Sequence, residues 1–285
     1  MVDTKKSSNI VQETQQMIID SHVHISLYEN NAQSLEESRD LLLQEMARNG
    51  IEYAIVIPDN LENKDDIADL AKAIELTNGY KEFFLLGSPQ IIQRGNSEIQ
   101  KYRELLESGT VKGIKLFPGH DPYNPTDQRC LPYYELLQKL GCPVVFHTGD
   151  ISSDPNIQNP LFYNDPKYIV EIADKYPKLK VIITHYFWPK IEYCYEITKN
   201  SPNIYFELAG TADPEVLEKS GGIEKMINVL EKTIQNRPDK VIFGTDWPMC
   251  DIKKQIDLVK SLKIDEDERE RIFSKNAIEV YKLLI

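Results

Sequence analysis

The sequence predicts an α/β fold, a (β/α)8 TIM barrel in a single domain, and three observations carry that expectation. Eight short runs of β-branched or aromatic residues recur along the chain. Segments with helical period and helix-end signals lie between them. From Met17 onward no linker rich in Gly, Ser or Pro, and no shift in composition, parts the chain into two units. Its 285 residues suit one barrel, which typically needs about 250. The barrel is placed at 17–285, behind a polar tail at 1–16 that is expected to be flexible.

The runs fall at 17–20, 53–58, 83–88, 111–117, 143–147, 181–185, 204–208 and 241–245. Their nearly continuous apolar character suits strands buried on both faces of a parallel sheet. After the first run, Ser34 and Glu37 have capping-box spacing ahead of Leu41, Leu42 and Met46, and Gly50 can stop that helix. Ile67, Leu70, Ala71 and Ile74 mark one apolar stripe, closed by Gly79. Asp165 before Pro166 reads as an N-cap with proline at the first helical position, ahead of Ile169, Val170 and Ala173. Asp213 and Pro214 repeat the device before Val216 and Leu217. Strand and helix alternating in this way mark a closed barrel. An open doubly wound sheet is the alternative, weakened because no Gly-rich phosphate loop follows the first strand.

Composition narrows the function classes. With 41% apolar and 27% charged residues, disordered, collagenous and coiled-coil readings drop out. A formal net charge of −12 argues against a nucleic-acid or anionic-membrane surface, which needs clustered Lys and Arg. Cys130, Cys142, Cys194 and Cys250 form no CxxC pair, so they read as reduced thiols and not as a disulfide framework. No apolar run approaches the roughly 20 residues that span a bilayer, and the polar segment 1–16 lacks the apolar core of a signal peptide. A cytoplasmic protein acting on a small molecule is expected, with a homodimer as the default assembly.

The chemistry lies in the histidines. Of His22, His24, His120, His147 and His185, all but His120 stand at or just beyond the C-terminal end of an expected strand, as does Asp246. In a (β/α)8 barrel those ends converge on one mouth, where catalytic groups collect. A spacing of two puts His22 and His24 on the same side of the first strand. Two neutral imidazoles side by side suit a divalent cation such as zinc. An isolated HxH is also compatible with two polar residues where a strand meets solvent. Each of His147 and His185 alone reads as a rim residue, and Asp246 alone as a cap. Their shared placement is what points to a site.

These residues resemble the amidohydrolase superfamily, most closely its amidohydrolase-related branch, which includes aminocarboxymuconate-semialdehyde decarboxylase-like enzymes. The matching pieces are Asp20-Ser-His22-Val-His24, Gly113-Ile-Lys115-Leu, Pro143-Val-Val-Phe-His147-Thr-Gly, Ile183-Thr-His185, Phe243-Gly-Thr-Asp246-Trp-Pro and a closing Asn276-Ala277. The resemblance implies that His22, His24 and His147 are metal ligands and that Asp246 is both ligand and proton shuttle. His185 would either complete the coordination or stand beside the metal and polarise the substrate. Zinc is the usual metal, with iron, manganese or cobalt as alternatives. The implied activity is hydrolysis of a small-molecule C–N, C–O or lactone bond by a metal-activated water. Non-oxidative decarboxylation of a carboxylated phenol or muconate-like substrate is the alternative, and the ligand set does not separate the two. A basic residue near the mouth would favour decarboxylation, and Arg129 is the candidate. A barrel that binds a metal without turnover is a third reading, disfavoured by the full set of five polar groups.

Lys115 decides between one metal and two. Apolar Ile114 and Leu116 should face the helices, which turns Lys115 into the barrel. In two-metal members of the superfamily a lysine at this place is carboxylated and bridges the ions. An uncarboxylated ammonium near the mouth, with one metal, fits the branch resembled here. Lys115, His120, Glu207 and Trp247 are further candidates for contact with substrate. Tyr28, Tyr186, Phe187 and Trp188 join Trp247 as lining for an aromatic pocket, or as packing beneath the loops.

Overall fold

A computed structural model describes residues 16–61 and 64–285. Apart from Gln16, the tail expected at 1–16 lies outside the described residues. Eight parallel strands appear in sequence order: β1 (Ile18–Val23), β2 (Ile51–Val56), β3 (Phe83–Leu85), β4 (Ile114–Leu116), β5 (Pro143–Phe146), β6 (Lys180–Thr184), β7 (Ile204–Glu207) and β8 (Val241–Ile242). They pair as two parallel sheets, β1-β2-β3 and β4-β5-β6-β7-β8. Backbone hydrogen bonds stitch both seams. Gly87 N donates to Gly113 O and Lys115 N to Gly87 O, at 2.9 and 2.8 Å, between the ends of β3 and β4. Ser21 N donates to Phe243 O at 3.1 Å and His24 N to Trp247 O at 2.7 Å, between β8 and β1.

Strand residues divide between two apolar layers. Ile19, Ile55, Val145, Ile182 and Ile242 fill the barrel interior, plugged by Ala277, Val280 and Tyr281 of the last helix, Asn276–Tyr281. Their neighbours Ile18, Val144, Val181, Ile183, Phe206 and Val241 pack outward against the helices. Parity changes within β1, where the register shifts between Asp20 and Val23. Ile19 faces inward before the irregularity, whereas Val23 and Ile25 belong to the outer layer after it. That one slip hands the interior to the even-numbered His22 and His24.

Helix ends follow the local chemistry. Ser34 accepts from Glu37 N at 3.2 Å to start Leu35–Asn49, and Gly50 ends it at φ 71. The Glu37 carboxylate reaches back to Gln33 N, one residue before the cap. Asp165 and Asp213 cap Pro166–Lys175 and Pro214–Lys219. The apolar stripe expected from Ile67 holds at Leu70 and Ile74, but the helix starts later and Ala73 replaces Ala71 on its buried face. Asp69 caps the helix Leu70–Thr77 by accepting from Lys72 N, so Ile67 stays outside, Ala73 and Leu76 are buried, and Ala71 is exposed. All four cysteines are free. Among the described residues no helix is long and apolar enough to cross a membrane.

Candidate metal centre at the barrel mouth

His22 and His24 leave the end of β1, and Asp246 stands four residues beyond β8. The hydrogen bond from Asp246 N to His22 O, 2.8 Å, fixes their backbones side by side. Asp20 completes this seam. Its Oδ1 accepts from Thr245 N at 2.9 Å and from His22 N at 3.1 Å, and its Oδ2 accepts from Thr245 Oγ1 at 2.6 Å. Burial pushes the Asp20 carboxyl up to about 7, against the lowering effect of those donors.

Asp246 Oδ1 lies 3.3 Å from Nε2 of both His22 and His24, and Oδ2 lies 3.9 Å from His185 Nδ1. His22, His185 and Asp246 each offer a ligand atom, all within 4.8 Å of one another. The His22 ring is 5.2 Å from His24 and 5.0 Å from His185, centroid to centroid. His147, from the end of β5, stands one ring further out, 5.0 Å from His185 and 4.0 Å from His120. Its Nε2 is buried with no hydrogen-bond partner among the described residues.

One nitrogen of each of three of these rings is committed. His22 Nδ1 lies 2.5 Å from Glu207 Oε2, His24 Nδ1 2.9 Å from Ile57 O, and His185 Nδ1 2.9 Å from Ala209 O. Every partner is an acceptor, so Nδ1 carries the proton and Nε2 keeps its lone pair in each neutral ring. Burial drives His22 and His147 well below the usual histidine range and His185 down to about 4. His22 therefore turns a lone pair toward a carboxylate oxygen with no proton between them, an arrangement that a cation resolves. For Asp246, burial opposes the charge, but His185, His22 and His24 outweigh it and hold the carboxylate below its ordinary range.

Backbone strain gathers at the same place. His185, Tyr186, Phe187 and Asp246 take φ of 58, 54, 55 and 71, in the left-handed region that costs bulky residues most.

The other candidates separate by depth. Glu207 is 0% exposed, with Oε1 2.7 Å from Ser21 Oγ, so its carboxylate serves His22 and Ser21 from below. Lys115 is 1% exposed, with Nζ 3.5 Å from Thr184 Oγ1. Burial raises the Glu207 carboxyl and lowers the Lys115 ammonium, each restrained by the other's charge. Trp247 is buried in the outer layer, as are Tyr186, Phe187 and Trp188, while exposed Tyr28 donates to Asp66. The four buried aromatics pack beneath the loops. Arg129 is gripped by Asp127 through Nε and Nη2 at 2.9 and 2.7 Å. A cleft of about 250 Å3 between the loops after β2 and β3, lined by Asp59, Asn60, Ser88 and Gln90 among others, includes none of the candidate ligands.

Ser21, Asp20 and Gly244 belong to the site as well; they stand inside the motifs at 20–24 and 243–248, but no local pattern assigns them a role of their own. A Cβ at Gly244 would stand 3.0 Å from His22 Cβ, 3.1 Å from Glu207 Cγ and 3.3 Å from Ser21 Oγ. Gly244→Ala is expected to cost about 1–3 kcal/mol by overpacking. Denaturant unfolding of the variant measures this, and an unchanged midpoint would show that the neighbours yield freely.

Comparison with known proteins places this geometry. The amidohydrolase family model matches residues 19–283. An L-rhamnono-γ-lactonase from Scheffersomyces stipitis is 25% identical over 218 residues, covering 64% of this chain and 62% of that protein's length. A TIM-barrel protein of uncharacterised function from Bordetella bronchiseptica superposes with a TM-score of 0.74 at 23% identity, covering 93% of this chain and 98% of the other. The 5-carboxyvanillate decarboxylase of Sphingomonas paucimobilis superposes with 0.64 at 14% identity, covering 95% and 99%. At these identities the two structures bear on the fold alone. With the family model spanning all eight strands, the chain belongs to the amidohydrolase family.

Proposed function

We propose that this protein is a metal-dependent hydrolase of a small molecule, and that a lactone comes first among the bonds it cleaves. The observation that carries the reading is the convergence of His22, His24 and His185 around Asp246 with the Nδ1 of each ring already spent on an acceptor. Those four residues would hold the ion, with His147 as the further ligand whose buried Nε2 otherwise has no partner among the described residues. The His185 Nδ1–H bond to Ala209 O leaves Nε2 as a lone-pair donor, which favours the ligand role over a proton-donating one. A divalent ion bound there supplies Lewis acidity that makes water nucleophilic at neutral pH and polarises a carbonyl.

The protein groups do the proton work. Asp246 Oδ2 is its less engaged oxygen and accepts the proton of the attacking water, then returns it to the leaving alkoxide. Glu207 keeps the His22 ring in the tautomer and orientation that present Nε2, a role typical of a carboxylate behind a ligating histidine. Lys115 balances the charge of Glu207, which supports an unmodified ammonium and a single ion. Trp247 contributes its backbone carbonyl to the β8–β1 seam. The lactone preference follows the named relative, and the hold of Asp127 on Arg129 supports it by engaging the basic residue that decarboxylation would recruit.

Purified protein should contain about one equivalent of zinc or another first-row metal, and about two would revive a bridging carboxylated Lys115. Acid release from L-rhamnono-γ-lactone and related aldono-γ-lactones should follow metal content through chelation and reloading. Carbon dioxide release from carboxylated phenols or muconates, with the lactones inert, would make the protein a decarboxylase. Full metal content with neither reaction would overturn the hydrolytic reading.

A further inference from the structure

The loop after β4 brings a fifth imidazole to the site. The loop is held by Asp121 N donating to Phe117 O at 2.9 Å and Gly119 N to Asp121 O at 3.0 Å. Asn60 Nδ2 ties it to the neighbouring loop at Asp121 Oδ2, 2.6 Å. His120 is thereby laid against His147 with ring centroids 4.0 Å apart, and against Phe117 at 6.0 Å. From the loop after β5, Ser153 N donates to His120 Nδ1 at 2.8 Å, and Ser153 Oγ lies 2.9 Å from the same nitrogen. A backbone N–H can only meet a lone pair, so Nδ1 is unprotonated and the neutral ring carries its proton on Nε2. Among the described residues no hydrogen-bond partner meets Nε2.

We infer that His120 is a substrate-binding residue that offers Nε2–H to an oxygen of the substrate, and that the Ser153 backbone N–H is the positioning group that fixes this tautomer. The inference rests on the reading of the site as one that takes a small oxygen-rich substrate. It assigns specificity to two loops. The His147 ring joins His120 to the cluster, and the Ser153 amide reaches His120 from the far side. Substrates with a carbonyl, hydroxyl or ring oxygen near the reacting bond satisfy the free donor, and analogues lacking that oxygen leave it unpaired.

The backbone origin of the contact gives a discriminating pair of variants. Ser153→Ala keeps the N–H and should leave KM for L-rhamnono-γ-lactone within about twofold of wild type. Ser153→Pro removes the N–H, and His120→Phe removes the donor. Both should raise KM about tenfold, the effect of one lost neutral hydrogen bond, with a smaller change in kcat. Nitrogen-15 imidazole spectra, with His120 assigned by its loss in His120→Phe, should show a protonated Nε2 and a bare Nδ1 in wild type. Lactone titration should move the Nε2–H resonance whether or not turnover occurs. A wild-type protein that turns over no lactone condemns the hydrolytic reading. An Nδ1–H tautomer, a resonance unmoved by lactone, or His120→Phe with unchanged KM overturns the role of His120. Ser153→Ala as damaging as Ser153→Pro overturns the role of the backbone amide.

Discussion

Asp246→Asn should lower kcat for lactone hydrolysis by about 10²–10⁴-fold, the usual worth of a positioned acid–base group, while the protein stays folded. The substitution is nearly isosteric, so the packing around it changes little. Backbone strain does not confound the result either, because asparagine tolerates the left-handed conformation as readily as aspartate does. What changes is charge and basicity. The amide cannot take a proton from water at Oδ2, and it replaces the carboxylate that His22, His24 and His185 surround. Steady-state kinetics with metal content measured on the same sample separates a lost ligand from a lost base. Near-normal turnover would remove Asp246 from the mechanism.

Glu207→Met should have the largest effect on stability, about 3–5 kcal/mol, because it leaves the buried His22 Nδ1–H without its acceptor and takes away a carboxylate charge that supports the buried Lys115 ammonium. The same change removes the acceptor behind His22 and should weaken metal binding about 10–100-fold. A second substitution divides the two effects. With Lys115→Met added, the unsupported ammonium is gone and part of the stability should return, the remainder being the cost of the His22 Nδ1–H that still lacks its acceptor. Metal affinity should stay low, because His22 still lacks Glu207. Denaturant midpoints and metal competition titrations on the single and double variants give both numbers. Recovery of metal affinity in the double variant would show that Glu207 acts only by neutralising Lys115.

The architecture and the main cluster were legible because they depend on local signals. Apolar runs and capped helices mark the elements, and the strand-end position of each histidine follows once the barrel is assumed. The direction of those side chains was less so. A spacing of two puts His22 and His24 on one face, but only the slip after Asp20 makes that face the interior. Of the stripe expected at Ile67, Leu70, Ala71 and Ile74, only Ala71 is exposed, and the helix begins after Ile67 because periodicity does not show that Asp69 takes the cap. Asp20, Ser21 and Gly244 act through contacts between β1 and β8, more than 200 positions apart in the chain, and no window of sequence contains such a pair. Aromatic residues next to the ligand-bearing strands looked equally suited to lining or packing, and the left-handed turn at His185, Tyr186 and Phe187 buries the latter two.

Anomalous scattering from crystals soaked in zinc is the most direct measurement of the central claim. One peak is expected about 2.0–2.2 Å from the Nε2 atoms of His22, His24 and His185 and from a carboxylate oxygen of Asp246. Full soaking with no peak there, or with a peak held by other residues, would contradict it.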